Sequence, residues 1–96
     1  MTTTPTSGAV KADGADLYVE RRGDGPPLLL IAGGGGDCGA FSALAELLAS
    51  SYTVLGYDRR GNSRSPLHHD PAAITIAEQT ADAVAVIRAS GLFGRL

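Results

Sequence analysis

The chain has 96 residues, enough for one small domain with a modest hydrophobic core. Hydrophobic residues make up 44% and charged residues 19%, and the net charge is −2, which excludes a strongly basic nucleic-acid or membrane-surface binder. The single cysteine, Cys38, rules out an internal disulfide and fits a reducing compartment, so the cytoplasm is the expected location. The first residues, MTTTPTSG, have no apolar core of the kind a signal peptide needs, and no apolar run approaches the roughly 20 residues of a membrane span.

Met1 to Gly8, rich in Thr, Pro and Ser, reads as a disordered tail, leaving 9–96 as the folded unit. Val10 to Ala12 is a candidate short strand, and Asp13-Gly14 supplies a two-residue hairpin turn. A second strand follows from Asp16 to Arg22. Leu17 and Val19 fall on one face, Tyr18 and Glu20 on the other, the alternation of a half-solvated antiparallel strand. Gly23 to Pro27 is a loop whose prolines forbid helix.

Leu28 to Ile31 is a continuous apolar run too short for a helix, as expected of a strand covered on both faces. Gly33 to Gly36 then allow a sharp turn and leave no side chains between its amides and a ligand. Phe41, Leu44, Leu47 and Leu48 recur at helical spacing, and Thr53 to Tyr57 makes the next strand. Strand, turn, helix and strand in this order require a right-handed crossover and a parallel pair.

After Asp58 comes the turn-rich Arg59-Arg60-Gly61-Asn62-Ser63-Arg64-Ser65-Pro66. A second helix is signalled by Thr75 with Glu78 three residues on, a capping box. Ile76, Thr80, Ala83, Val84 and Ile87 would line its buried face, and Gly91 sits where a left-handed capping residue belongs. Leu92 to Leu96 reads as the approach to another strand. A parallel sheet stopped there has an exposed edge. The expectation is an N-terminal piece of a longer chain, open to self-association through that edge.

Gly34, Gly36 and Gly39 satisfy G-x-G-x-x-G after a strand and before a helix, and Asp58 ends the next strand about 20 residues on. That pattern admits an NAD(P)-binding segment of the Rossmann type. Three features oppose it: four consecutive glycines contain the pattern partly by chance, antiparallel strands precede it, and the Arg60–Ser65 loop goes unexplained. A phosphate-binding P-loop fits less well still, because Ala40 and Phe41 stand where Lys and Ser or Thr are required.

The order of two N-terminal strands, LLLIAGGGGDCGAF, YTVLGYDRRGNSRS and a capped helix resembles the N-terminal third of an α/β-hydrolase. In that family one strand ends in His-Gly-Gly or a variant and the next parallel strand in Asp-x-Arg-Gly-x-Gly-x-Ser. Asp58, Arg60, Gly61 and Ser65 match the second motif, with Ser63 replacing its second glycine. Ala32-Gly33-Gly34 stands for the first, without the histidine.

The resemblance implies an α/β fold, an incomplete three-layer sandwich of about four strands and two helices, with Thr53–Tyr57 lying between Asp16–Arg22 and Leu28–Ile31. Local reading alone would pair those outer two as a hairpin. The resemblance also implies ester or acyl hydrolysis by a Ser-His-Asp triad, with oxyanion-hole N–H groups at Gly34 and Gly33 and a small-molecule ester as substrate. The nucleophile elbow Gly-x-Ser-x-Gly is missing from the 96 residues, so these residues alone are expected to be inactive. No cofactor or metal is expected. Cys38, the adjacent His68 and His69, and Ser63 and Ser65 read as loop residues rather than nucleophiles, bases or ligands, and Asp58 as the organiser of the Arg60–Ser65 loop.

Overall fold

The computed structural model describes residues 5–32, 38–62, 64–67 and 74–92. Its strands are β1 (Thr6–Ala12), β2 (Ala15–Arg22), β3 (Pro27–Ile31) and β4 (Thr53–Tyr57), and its helices are α1 (Ser42–Leu48) and α2 (Ile76–Ser90). A 3-10 turn, Cys38–Phe41, leads into α1. The strands form one sheet in the order β1-β2-β4-β3, antiparallel except for the parallel pair β3 and β4. This is the arrangement in which the Thr53–Tyr57 strand is inserted between its neighbours. The simple hairpin of β2 with β3 does not form.

Side chains alternate across a strand, and here the alternation sorts the sheet into two faces. Val54 and Gly56 of β4, with Glu20 and Arg22 of β2, face Phe41 and Ala45. Leu55 and Tyr57, with Leu17 and Val19, face α2. The two helices therefore cover opposite faces. β4, covered on both, is buried at four of its five positions. The core proper is Ala15, Leu17, Tyr57 and Val86, with Val10, Ala12, Val19, Leu29, Leu67 and Ala83 around it.

Three elements differ in detail from the sequence reading. β1 begins at Thr6 rather than Val10, because Thr6, Ser7 and Gly8 continue the ladder opposite Arg21, Glu20 and Val19. The helix after the glycine turn buries its small residues, Ala45 and Ala49, while Leu44 and Leu47 remain exposed. In α2 the buried positions are Asp82 and Val86, and Ile76 is 78% exposed. Asp82 faces inward and is hydrogen-bonded to Arg60, and of the expected stripe Ala83 packs against the core while Ile76 and Thr80 are exposed.

The ends of α2 form as read. Thr75 Oγ1 accepts the Glu78 amide at 3.0 Å, and Glu78 Oε1 accepts the Thr75 amide at 3.0 Å. Gly91 closes the helix in the left-handed region, with its N–H donating to the Arg88 carbonyl. The Asp13-Gly14 turn joins Ala12 to its partner Ala15. No helix among the described residues is long and apolar enough to cross a membrane. The expected strand at the chain's end falls on 93–96, outside the described residues.

Candidate functional site

Asp58 follows directly on β4, at the end of the sheet where the parallel strands point. Its side chain is fully buried. Oδ1 accepts hydrogen bonds from the Cys38 amide at 2.8 Å and from Arg64 Nη2 at 3.0 Å. Oδ2 accepts from Arg64 Nε at 2.6 Å and from the Arg64 amide at 3.1 Å. Burial alone pushes the Asp58 carboxyl upward. The Arg64 guanidinium and the Cys38 and Arg64 amides outweigh that and hold it below the usual carboxylate range.

The backbone of the loop after Asp58 is closed by its own residues. The Gly61 amide donates to the Ser65 carbonyl at 2.8 Å, Asn62 N to Arg59 O at 2.9 Å, and Ser65 N to Asn62 O at 3.0 Å. Gly61 adopts φ +74°, and an added Cβ there would press on Leu67 Cδ1 at 3.3 Å, so the motif's first glycine has a conformational reason. Ser65 is also fully buried. Its Oγ donates to the Asp58 carbonyl at 2.5 Å and accepts the Tyr18 amide at 2.8 Å. A hydroxyl thus stands where the β2–β4 ladder would otherwise continue. Beyond it the Asp16 amide donates to the Pro66 carbonyl and Leu67 bridges Ala15, so the loop itself takes over as β2's neighbour.

Around Arg64 lies a charged cluster that the sequence does not advertise. The guanidinium sits 3.8 Å over the Tyr18 ring and within 3.7 Å of Glu20 Oε2. Tyr18 Oη donates to Glu20 Oε2 at 2.9 Å, and Arg22 links Glu20 to Glu46 on α1. The face of β2 read as half-solvated is therefore a polar network, with the Glu20 side chain 15% exposed. Burial and then the Glu20 hydrogen bond push the Tyr18 phenol up.

Arg60 has a separate task. Its Nε and Nη2 grip Asp82 at 2.7 and 2.8 Å, Nη2 also reaches the Asp13 carbonyl at 2.6 Å, and Nη1 reaches Glu78 at 3.1 Å. One side chain thereby ties the loop to α2 and to the β1–β2 turn.

Of the residues singled out by sequence, Cys38 and Asp58 are brought into contact, and Ser65 supports Asp58 from the other side. Cys38 is buried with its thiol 3.4 Å from both Glu20 and Arg64. Burial, then the Asp58 carboxylate, push that thiol well above its ordinary value, the opposite of an activated nucleophile. Gly33, Gly34 and Gly36 lie outside the described residues, as do Ser63, His68 and His69. Among the described residues, no group of three or more His, Cys, Asp and Glu side chains is placed to hold a metal ion. Sequence reasoning missed Tyr18, Glu20, Arg64 and Asp82. For Tyr18, Glu20 and Asp82 the only signal is polarity at positions that strand and helix periodicity assign to solvent, and Arg64 stands in a turn-rich loop.

Asp58 bears on the dinucleotide reading as well. A ribose-binding acid must offer its carboxylate to a ligand, and here both oxygens are occupied inside the chain.

No family model matches the chain. It is 41% identical over 80 residues to the "Uncharacterized hydrolase YraK" of Bacillus subtilis, covering 83% of this chain and 30% of that protein. It is 41% identical over 54 residues to the zearalenone hydrolase of Cladophialophora bantiana, covering 55% of this chain and 20% of that protein. The crystal structure of an α/β-hydrolase from Sphaerobacter thermophilus superposes with a TM-score of 0.74 at 34% identity, over 90% of this chain and 32% of that one. The chain thus spans about a third or less of the length of the relatives it matches. The inserted β4, the Asp58–Ser65 loop and these similarities together place the chain in the α/β-hydrolase fold superfamily, of which it carries a four-stranded mixed sheet and two helices.

Proposed function

We propose that residues 1–96 supply the oxyanion turn of an α/β-hydrolase that cleaves esters or related acyl substrates. The observation that carries this reading is positional. Gly33 to Gly36 follow β3 in the sequence, the parallel neighbour β4 is followed directly by Asp58, and open α/β sheets bind ligands outside the carboxyl ends of such strands. Acyl transfer passes through a tetrahedral oxyanion that needs N–H donors at about 2.7–3.1 Å. In this reading the Gly34 amide, with Gly33 beside it, provides one of them, and the absence of a Cβ leaves room for substrate. The second donor, the serine, the acid and the histidine belong to an elbow and later segments that residues 1–96 do not contain. Residues 1–96 alone are therefore catalytically silent.

The test is a chimera in which residues 1–96 replace the matching part of YraK, treated with a fluorophosphonate that labels activated serines. Labelling is expected in the chimera and not in residues 1–96 alone. Gly34→Pro, which removes the amide donor, should slow it by about 10²–10³-fold. A folded chimera that stays unlabelled while YraK is labelled would overturn the reading, as would full-rate labelling of Gly34→Pro. Self-association through the outer edge of β3, which pairs only with β4 among the described residues, is a further part of the proposal. Sedimentation of residues 1–96 that shows only monomer across the micromolar range would remove it.

A further inference from the structure

The Asp58 carboxylate reaches in two directions. Its bonds to the Arg64 amide and Nε close the loop to which Asp58 itself belongs. Its bond to the Cys38 amide leads out of that loop, across 20 residues, and contributes nothing to closing it. Cys38 directly follows Gly33–Asp37 in the sequence and begins the 3-10 turn into α1.

Three further observations bear on that bond. The group has to be a carboxylate: it accepts from four N–H donors, Cys38 N and Arg64 N, Nε and Nη2, whereas an asparagine would turn an NH2 toward some of them. Arg64 is flanked on two sides, with Tyr18 under its guanidinium and Glu20 beside it. The Cys38 side chain is held as well, between Glu20 and Arg64 above Gly56, where even one added Cβ would come within 3.0 Å of Cys38 Cβ. The amide and the side chain of one residue are thus both fixed against the sheet.

We propose that Asp58 is a positioning residue: by clamping the Cys38 amide, it fixes where the chain leaves the glycine turn, with Arg64 holding the clamp in place. This rests on the reading of that turn as a donor loop, which gives its geometry a purpose. The acid therefore acts through Cys38 and does not touch substrate.

The test is nuclear magnetic resonance on the isotope-labelled 96-residue chain. A long-range HNCO experiment should show a through-hydrogen-bond cross-peak from the Cys38 amide to the Asp58 carboxylate carbon. Asp58→Asn should abolish it, move the Cys38 amide proton upfield, and raise its hydrogen exchange about tenfold or more, as loss of a charge-assisted bond requires. The amide signals of Gly33 to Gly36 should shift in the same variant, while those of the β1–β2 hairpin stay in place. A merely structural loop acid would leave the glycine signals unmoved. Should Asp58→Asn not fold, Arg64→Lys replaces it, with the same displacement of Cys38 and the glycines expected from a weakened clamp. Absence of the cross-peak in the unaltered chain overturns the proposal, as do unmoved glycine signals in whichever variant folds. The donor-loop reading fails separately, through Gly34→Pro in the chimera, and that failure leaves the Cys38–Asp58 result intact.

Discussion

Arg60 and Asp82 are joined by two hydrogen bonds, at 2.7 and 2.8 Å, across 22 residues of chain, and each side chain is only 3% exposed. Removing Asp82 leaves the buried Arg60 with only the more exposed Glu78 carboxylate as counter-charge. Asp82→Ala is expected to cost about 3–5 kcal/mol in urea unfolding, the usual penalty for breaking a buried pair from one side. The double variant Arg60→Met, Asp82→Leu should recover much of that loss. Equal destabilisation by single and double variants would show that the pair is not the reason.

Stability should fall in acid through Asp58. Its folded-state carboxyl lies below the ordinary value of 3.8, so the folded chain holds the proton less tightly than the unfolded one. That stabilisation is fully present well above pH 3.8 and drains away as pH drops through the folded-state value. Urea midpoints between pH 7 and pH 2 should show this fall, and Asp58→Asn should lose that part of the slope while being less stable at pH 7. An unchanged acid slope in Asp58→Asn would assign the effect to other carboxyls.

The Cys38 thiol should be inert in the native chain. It is buried, with acidic neighbours that disfavour the thiolate. Reaction with iodoacetamide at pH 8 is expected to be slow in buffer and rapid in urea. Equal rates in the two conditions would mean that the site opens readily in the folded state.

Gly56 is the one residue of β4 that is not fully buried, yet it has little room above it. Gly56→Ala should place a methyl against Cys38 and destabilise the fold by about 1–3 kcal/mol, as overpacking does. Pairing it with Cys38→Gly, which removes the opposing Cβ, should restore part of the loss. Thermal melts of the two variants decide this.

What could be read from sequence divides along a physical line. Turns, caps and the parallel crossover are local: Asp13-Gly14, the Thr75–Glu78 box and Gly91 each declare themselves within four residues, and all form as read. The insertion of β4 beside β2 is not local, and only the resemblance to a known fold family indicated it. Periodicity placed Ala83 against the core but missed Asp82, because it counts apolar side chains alone and Asp82 is buried with Arg60 as its partner. Glu20 and Tyr18 were hidden for the same reason. Asp58 was legible as a loop organiser through its motif, but its bond to Cys38 depends on how β3 and β4 are laid side by side. The glycine turn itself was the plainest signal in the chain, and its residues Gly33 and Gly34 lie outside the described region.

The Ser65 hydroxyl, wedged between the Tyr18 amide and the Asp58 carbonyl, has a dynamic consequence. Because residues 65–67 replace β4 as the strand-like neighbour of β2, the loop is stitched into the same cooperative unit as the hydrophobic core. The Gly61 and Ser65 amides should be released to solvent deuterium only by the same global opening that frees Leu17 and Tyr57, and at the same rate.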